Sequence, residues 1–344
     1  MGGSPTIHDV ARVAQVAIGT VSRVLNGHKS VSDDVRRRVL KAIKKLRYEP
    51  DRVAQSMRLG LTRTVAIATR DISIPGFGAI VNAAEEVLRA SGYTLLVAST
   101  DERKERELDL LRIFQQRRVD AIILTTSSED DADLTKQIKN LTIPIVLLDR
   151  ERPIEFDAVT IDHRRGVRAA TEHLHGLGHT RIALLTGNPS IRPADERIAG
   201  FYEAYAHIGK NAERGIVRTG AFSAEFGFRE ASSLLSSPNR PSAIIAGGMA
   251  MLSGVLQAIR ARGLSIPHDI SVVAGADSDL AALATPAITA IRWSGTDEGR
   301  MAVQLLLNRL TGNRVGPVQR VMLSTELIPR ASCAPPPARA KARR

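Results

Sequence analysis

From Thr64 onward the chain repeats one texture: a short run of Val, Ile, Leu and Ala, then a longer stretch with apolar residues on a helical period. The runs include Val65–Thr69, Thr94–Ser99, Ala121–Thr125, Pro144–Asp149, Arg181–Thr186, Ala243–Ala246 and Ile270–Ala274. Between them lie amphipathic stretches such as Ile80–Ala90, Glu105–Arg117, Gly166–Leu177 and Met251–Arg262. A strand that is apolar on both faces must be covered on both faces. Parallel strands joined by crossover helices satisfy that need. So many units overfill one sheet, so the pattern predicts an α/β core of two doubly wound parallel-sheet subdomains. Such sheets bind ligands beyond the carboxyl ends of their strands, which places a candidate site in the cleft between subdomains.

The first 47 residues read differently. Apolar positions recur at Val10, Val13, Val21, Val24 and Leu25, then at Val35, Val39, Leu40, Ile43 and Leu46, predicting short helices. A helix over Ile7–Ala14, a tight connection near Gln15–Val16 and a helix over Ala17–Asn26 would form a helix-turn-helix. In that geometry the second helix enters the DNA major groove with its first turn at base edges. Ile18, Gly19, Ser22 and Arg23 would face outward, and Val21, Val24 and Leu25 inward. Arg23 can donate two hydrogen bonds to guanine, and Thr20 or Ser22 can hold a phosphate. The helical pattern alone fits a small basic bundle equally well.

Charge placement bears on that choice. The formal net charge is +12, of which residues 1–64 carry +8 and residues 330–344 carry +5, leaving the intervening body at −1. A basic head suits a polyanion, because neutralising phosphates releases condensed counterions. No run approaches the roughly 20 apolar residues of a membrane span. Met1–Pro5 lacks signal-peptide features, and the single cysteine, Cys333, has no intrachain partner, so a cytoplasmic protein is expected, nucleoid-associated if the basic head binds DNA. The chain has no G-x-S-x-G turn, no Walker loop and no H-E-x-x-H, so no enzyme activity and no cofactor are expected. His173, His175 and His179 have a loosely metal-like spacing without a cysteine and are read as structural, with no metal site. Glu129, Asp130, Asp131 and Asp133 are read as solvating a loop and starting a helix.

Specific residues then carry a resemblance. T-V-S-R-V-L-N stands at Thr20–Asn26, V-A-x-x-A at Val10–Ala14, and V-S-D-D-V-R-R-R-V-L-K-A-I-K-K-L-R-Y-E-P over Val31–Pro50. Further matches run through Gly92–Thr100, Arg117–Leu124, His173–Ala183, Glu196–Phe201 and Asp269–Val273. The chain resembles the lac/galactose repressor family of bacterial transcriptional regulators over most of its length. The resemblance implies a helix-turn-helix headpiece over 1–48, a hinge helix or linker over 49–62, a two-lobed periplasmic-binding-protein-like core for effector binding and dimerisation over 63–330, and a disordered basic tail over 331–344. It also implies three crossings between lobes, with Thr289–Thr311 rejoining the first lobe.

The function so implied is repression of transcription by a homodimer on a palindromic double-stranded operator, under allosteric control of a small carbohydrate-like effector and with no membrane partner. The tail's Pro335–Pro337 and lack of apolar heptads argue against a tetramer. The DNA-contacting set is Thr6, Ile18, Gly19, Thr20, Ser22, Arg23 and Asn26, with Met57 as an apolar minor-groove wedge and Ala54 beside it in the hinge stretch Asp51–Arg58. The effector-contacting set is Phe77, Asp149, Arg197 at a helix start, Phe222 over the ligand, and Asp277.

Two departures from the family pattern shape the expected ligand. Ala246-Gly247-Gly248-Met249 stands where the family often has A-N-D, and Ala274-Gly275-Ala276-Asp277 where it often has G-F-D-D. Sugar hydroxyls lose acceptors there. A buried Arg197 with fewer acidic neighbours then favours an anionic ligand, such as a sugar acid, over a neutral hexose. The competing class is a periplasmic-type small-molecule binding protein without a transcriptional role, for which a signal peptide in place of the headpiece would argue. A non-specific architectural DNA binder would need no ligand cleft.

Overall fold

The computed structural model describes residues 5–25, 28, 30–48, 61–207, 215–312 and 316–337. Three helices make the N-terminal unit: α1 (Ile7–Ala14), α2 (Ile18–Leu25) and α3 (Asp33–Leu46). Thr6 caps α1 through a reciprocal box, its Oγ1 accepting the Asp9 N–H while Asp9 Oδ2 accepts the Thr6 N–H. Gln15 takes a left-handed conformation, φ 52°, which stops α1 and opens the turn into α2. Asp33 and Asp34 begin α3, and Lys44 and Lys45 end it, each pair matching the helix dipole. Val10, Ala11, Ala14, Val21, Val24, Val39 and Ala42 form the core. Val13 and Leu40, two of the recurring apolar positions, are 42% and 52% exposed, because the inward faces of α1 and α3 are made by Val10, Ala11 and Ala14 and by Val39 and Ala42. Asn26 and the hinge stretch with Ala54 and Met57 lie outside the described residues.

The second unit holds two six-stranded sheets. The first lobe contains β1 (Thr64–Thr69), β2 (Thr94–Ser99), β3 (Ala121–Leu124), β4 (Ile145–Leu148), β5 (Asp157–Ile161) and β11 (Arg320–Leu323), in the order β11-β5-β4-β3-β1-β2. The second contains β6 (Ile182–Gly187), β7 (Ile216–Gly220), β8 (Ala243–Ala246), β9 (Ser271–Ala274), β10 (Thr289–Arg292) and β12 (Glu326–Ile328), in the order β12-β10-β9-β8-β6-β7. All pairings are parallel except β10 with β12. Every residue of β3, β4, β5, β6, β8 and β9 is buried, which is why those segments tolerate so few polar residues.

The covering helices are α4 (Pro75–Ala90), α5 (Lys104–Gln116), α6 (Ala132–Lys139), α7 (His163–Gly176), α8 (Arg192–His207), α9 (Ala224–Ser236), α10 (Met249–Ala261), the short α11 (Asp279–Leu283) and α12 (Gly295–Thr311). The chain passes between lobes three times: from β5 to α7, from β10 to α12, and from β11 to β12. Thr289–Arg292 therefore stays in the second lobe, and only the part from Gly295 rejoins the first. The crossings adjoin one another. Thr325 Oγ1 donates to the Asp162 carbonyl at 2.9 Å, and a Cβ on Gly166 would come within 2.7 Å of Ile291 Cγ2. A buried two-pronged pair, Arg309 to Asp157 at 2.7 Å for both bonds, fastens α12 to β5.

Ordered packing continues past Arg330, beyond the expected end of the core. Ser332 is fully buried, donates to the Val272 carbonyl at 2.6 Å and accepts the Thr289 N–H at 2.8 Å. The Ala334 carbonyl meets His179 Nε2 at 2.9 Å. Those bonds stitch residues 332–334 onto the second lobe, so of the expected tail only residues 338–344 lie outside the described residues.

Candidate functional site

Strand ends, helix starts and crossings converge on a cavity of about 630 Å³ between the two lobes. All five residues expected at an effector site, Phe77, Asp149, Arg197, Phe222 and Asp277, line it, as do Gly248, Met249 and Ala276 at the positions that depart from the family pattern. The structure places some of them differently from the sequence expectation. Phe77 lies in the first turn of α4 rather than in a loop, because Pro75 starts that helix. Arg197 sits in the second turn of α8, which begins at Arg192.

Arg197 is 5% exposed. Its Nη1 donates to the Pro193 carbonyl at 2.9 Å, and its buried Nε has no partner among the described residues. Burial pushes its guanidinium down to about 10, a drift that Asp149 opposes. The guanidinium lies over the Phe222 ring, 5.3 Å from the centroid. Arg70, one residue beyond β1, lies over the same ring at 5.2 Å, donates to the Phe222 carbonyl at 3.3 Å and pairs with Glu102 at 3.1 Å. Phe222 is thus engaged by two cations, one from each lobe.

Asp149 follows β4 in a left-handed conformation, φ 51°, which turns its carboxylate into the cleft. Oδ2 meets His163 Nε2 at 2.8 Å and Oδ1 accepts the Ile161 N–H at 3.3 Å. Burial favours the neutral acid, but His163, Arg150 and Arg197 outweigh it and hold the carboxyl below its ordinary range. His163 is itself pushed down to about 4 by burial and by Arg197, so at neutral pH it is an uncharged donor to Asp149. Behind it stands Trp293, edge-on at 5.4 Å.

Asp277 reaches the cavity wall with both oxygens committed: Arg330 grips it at 2.7 and 2.8 Å, and Arg292 adds a bond at 3.0 Å. Met249 Sδ accepts the Gly76 N–H across the cleft at 3.2 Å. The lining residues that the sequence reading missed include Arg70, Arg150 and Glu298. Arg150 is 4% exposed and, among the described residues, bonds to the carbonyls of Thr126 and Asp149, at 2.7 and 2.8 Å. Its position directly after a strand, like that of Arg70, was a readable signal. Glu298, in the first turn of α12, carries no such signal.

One sequence reading changes outside the cavity. Glu129 does not solvate a loop. It is 9% exposed, and its carboxylate accepts the N–H groups of Glu151, Arg152 and Arg192, the last from α8 in the other lobe. Asp131 does start a helix, accepting the Leu134 N–H at 2.9 Å as the cap of α6. His179 meets the Ser242 hydroxyl at 2.8 Å, and His175 packs edge-on to Tyr205 at 4.7 Å.

In the N-terminal unit Ile18, Gly19 and Arg23 are exposed on α2, and Thr20 and Ser22 are half-buried on it. Thr6 has its hydroxyl and N–H engaged by Asp9. This unit matches the profile described as bacterial regulatory proteins, lacI family, over residues 6–51. Residues 171–333 match a periplasmic binding protein-like domain. Among the described residues no helix is long and apolar enough to cross a membrane.

Whole-chain relatives agree. The chain is 33% identical over 337 residues to the HTH-type transcriptional regulator DegA of Bacillus subtilis, covering 96% of this chain and 98% of that protein. It is 33% identical to the ribose operon repressor of Escherichia coli, covering 95% and 99%. Among solved structures, the lac repressor dimer bound to operator and the anti-inducer ONPF superposes with a TM-score of 0.84 at 28% identity, covering 96% and 100%. The complex of the transcriptional regulator CelR with cellobiose gives 0.72 at 30% identity, covering 95% and 99%. Headpiece and core thus match the same kind of regulator, end to end. The chain belongs to the lacI family of bacterial regulatory proteins.

Proposed function

We propose that this regulator represses transcription as a homodimer on a palindromic operator, and that a small carbohydrate-like acid in the interlobe cavity sets its affinity for DNA. The observation that carries the ligand class is Arg197: a buried guanidinium in a cavity wall, with no ion-pair partner and no partner for its Nε among the described residues. A carboxylate supplies both the charge and the acceptor that this group lacks. Arg150 is a second buried cation in the same cavity wall with no ion-pair partner among the described residues, and Asp149 is close enough to act on both guanidinium groups.

Repression by linkage needs only that effector and operator prefer different arrangements of the lobes; each then changes the other's affinity by the same factor. The exposed face of α2 supports Ile18, Gly19, Thr20, Ser22 and Arg23 as the base- and phosphate-reading set, with Met57 and Ala54 acting from the hinge. The deciding measurement is calorimetry on the full chain with D-gluconate, D-galactonate and D-glucuronate against the matching neutral sugars. Binding of an acid that Arg197→Ala abolishes, with operator binding retained, supports the reading. Tighter binding of an uncharged sugar, or an Arg197→Ala variant that responds normally, overturns it.

A further inference from the structure

Glu298 has no ion-pair role in the fold. It is 3% exposed, lines the interlobe cavity from the first turn of α12, and has no arginine, lysine or histidine within ion-pair distance among the described residues. Among the described residues the Trp293 side chain lies close enough to donate to it. A buried carboxylate without a cation is costly, whereas a buried carboxylic acid is a good hydrogen-bond donor.

The surrounding charges favour the acid. Asp149, beyond β4, repels a second negative charge at Glu298, and Arg150 beside it is too weak a counterweight, so burial and Asp149 together hold the Glu298 carboxyl well above the ordinary range. Arg70 and Arg197 also face the cavity, both turned onto Phe222. His163 is neutral and spent on Asp149, and Asp277 is spent on Arg330 and Arg292. From α4, only the uncharged Gly76, Phe77, Ala79 and Ile80 reach this wall.

We propose that Glu298 is an effector-contacting residue that presents a proton, donating a hydrogen bond to a hydroxyl or ring oxygen of a singly charged acid whose carboxylate lies at Arg197. This rests on the acid-effector reading above and narrows it. The site takes a monoanion with a hydrogen-bond acceptor at its far end. It rejects a dianion, whose second charge would face Glu298 and Asp149, and an amine, which would need Glu298 ionised. Binding is therefore linked to one proton.

The chain contains one tryptophan, Trp293, in contact with Glu298, so its fluorescence reads the site without a ligand. In the full chain we expect a fluorescence transition above the ordinary carboxyl range that Glu298→Gln removes. We expect affinity for the best-binding monoanion among gluconate, galactonate and glucuronate to fall about tenfold per pH unit once Glu298 ionises. Glu298→Gln, which keeps a donor, should rescue binding and flatten that dependence, whereas Glu298→Ala should lose at least tenfold; operator binding checks that each variant folds. Affinity that is flat with pH in the parent, a Gln variant as weak as Ala, or preference for the dianion glucarate overturns the proposal while leaving an acid effector standing. Failure of every monoanion to bind overturns both.

Discussion

Arg197 lays its guanidinium over Phe222 at 5.3 Å while its Nε, buried beside the cavity, meets no acceptor among the described residues. The face of the ring and the Pro193 carbonyl each hold the guanidinium in place. A side chain held twice in this way is poised for a planar anion.

That arrangement separates charge from shape. Arg197→Lys keeps the cation but cannot offer two parallel donors or stack as a plane. We expect it to weaken binding of the acid effector at least tenfold, about 1.4 kcal/mol, with operator affinity unchanged when no effector is present. Calorimetry and a gel-shift titration test the two halves separately. A lysine variant that binds the acid as well as the parent would show that only charge matters there.

His163 makes stability depend on pH. Its folded-state value, about 4, lies below the ordinary 6.5, so the unfolded chain takes up this proton first as pH falls. Stability on this account is complete above pH 6.5 and is lost between 6.5 and 4, by about 3 kcal/mol in all. His163→Gln, which can still donate to Asp149, should remove that part of the slope. Urea unfolding followed by Trp293 fluorescence at stepped pH measures it, and an unchanged slope in the variant would refute the assignment.

Gly254 predicts a sign. It stands where α10 crosses α9, and a Cβ there would collide with the Ala224 carbonyl and the Phe228 N–H. Alanine in an open helical position stabilises by up to about 1 kcal/mol, as it should at Gly19, where nothing lies within 4 Å. At Gly254 the helices must part instead, and Gly254→Ala should destabilise by about 1–3 kcal/mol. Thermal unfolding of the two variants should shift in opposite directions.

The second lobe exposes Leu283 at 81%, with Leu280 at 44% and Phe228 at 41%. Apolar side chains so placed suit the homodimer we propose. Leu283→Arg should give a monomer by light scattering, weaken operator binding sharply and leave effector binding intact. A dimer that persists would place the interface elsewhere.

The two-sheet core was legible because its central strands are buried on both faces and so are written in Val, Ile, Leu and Ala. Of the edge strands β2 was read, but β7 and β11 were not. β7 reads Ile-Val-Arg-Thr-Gly and β11 reads Arg-Val-Met-Leu, half-solvated patterns that resemble loops. Cavity residues were legible where the family pattern marked them, as at Asp149 and Arg197. Glu129 was misread for a physical reason: four acids close together look solvated, and only tertiary placement brings three backbone N–H groups to one of them. Glu298 was silent for the same reason, since nothing local to α12 distinguishes a first-turn acid in solvent from one in a cavity.

Arg23 carries the last prediction. It lies exposed in the last turn of α2, while Val21 and Val24 bury the opposite face against α1 and α3. An exposed arginine on a recognition helix has two distinct uses. Held against a phosphate it adds affinity for any sequence, and removing it lowers the salt dependence by about one counterion. Aimed at a guanine edge it adds about 1–3 kcal/mol for one base over the others. We assign Arg23 the second use, because α2 presents its outward face to the groove when its inward face packs on α1 and α3. Arg23→Ala should then close the gap between operator and random DNA by about 1–3 kcal/mol per contacted base and leave non-specific binding nearly unchanged. Competition titrations against operator and scrambled duplexes at two salt concentrations decide it. A loss that falls equally on both duplexes, with a shallower salt slope, would make Arg23 a phosphate contact and move base reading to Ile18, Gly19 and Ser22.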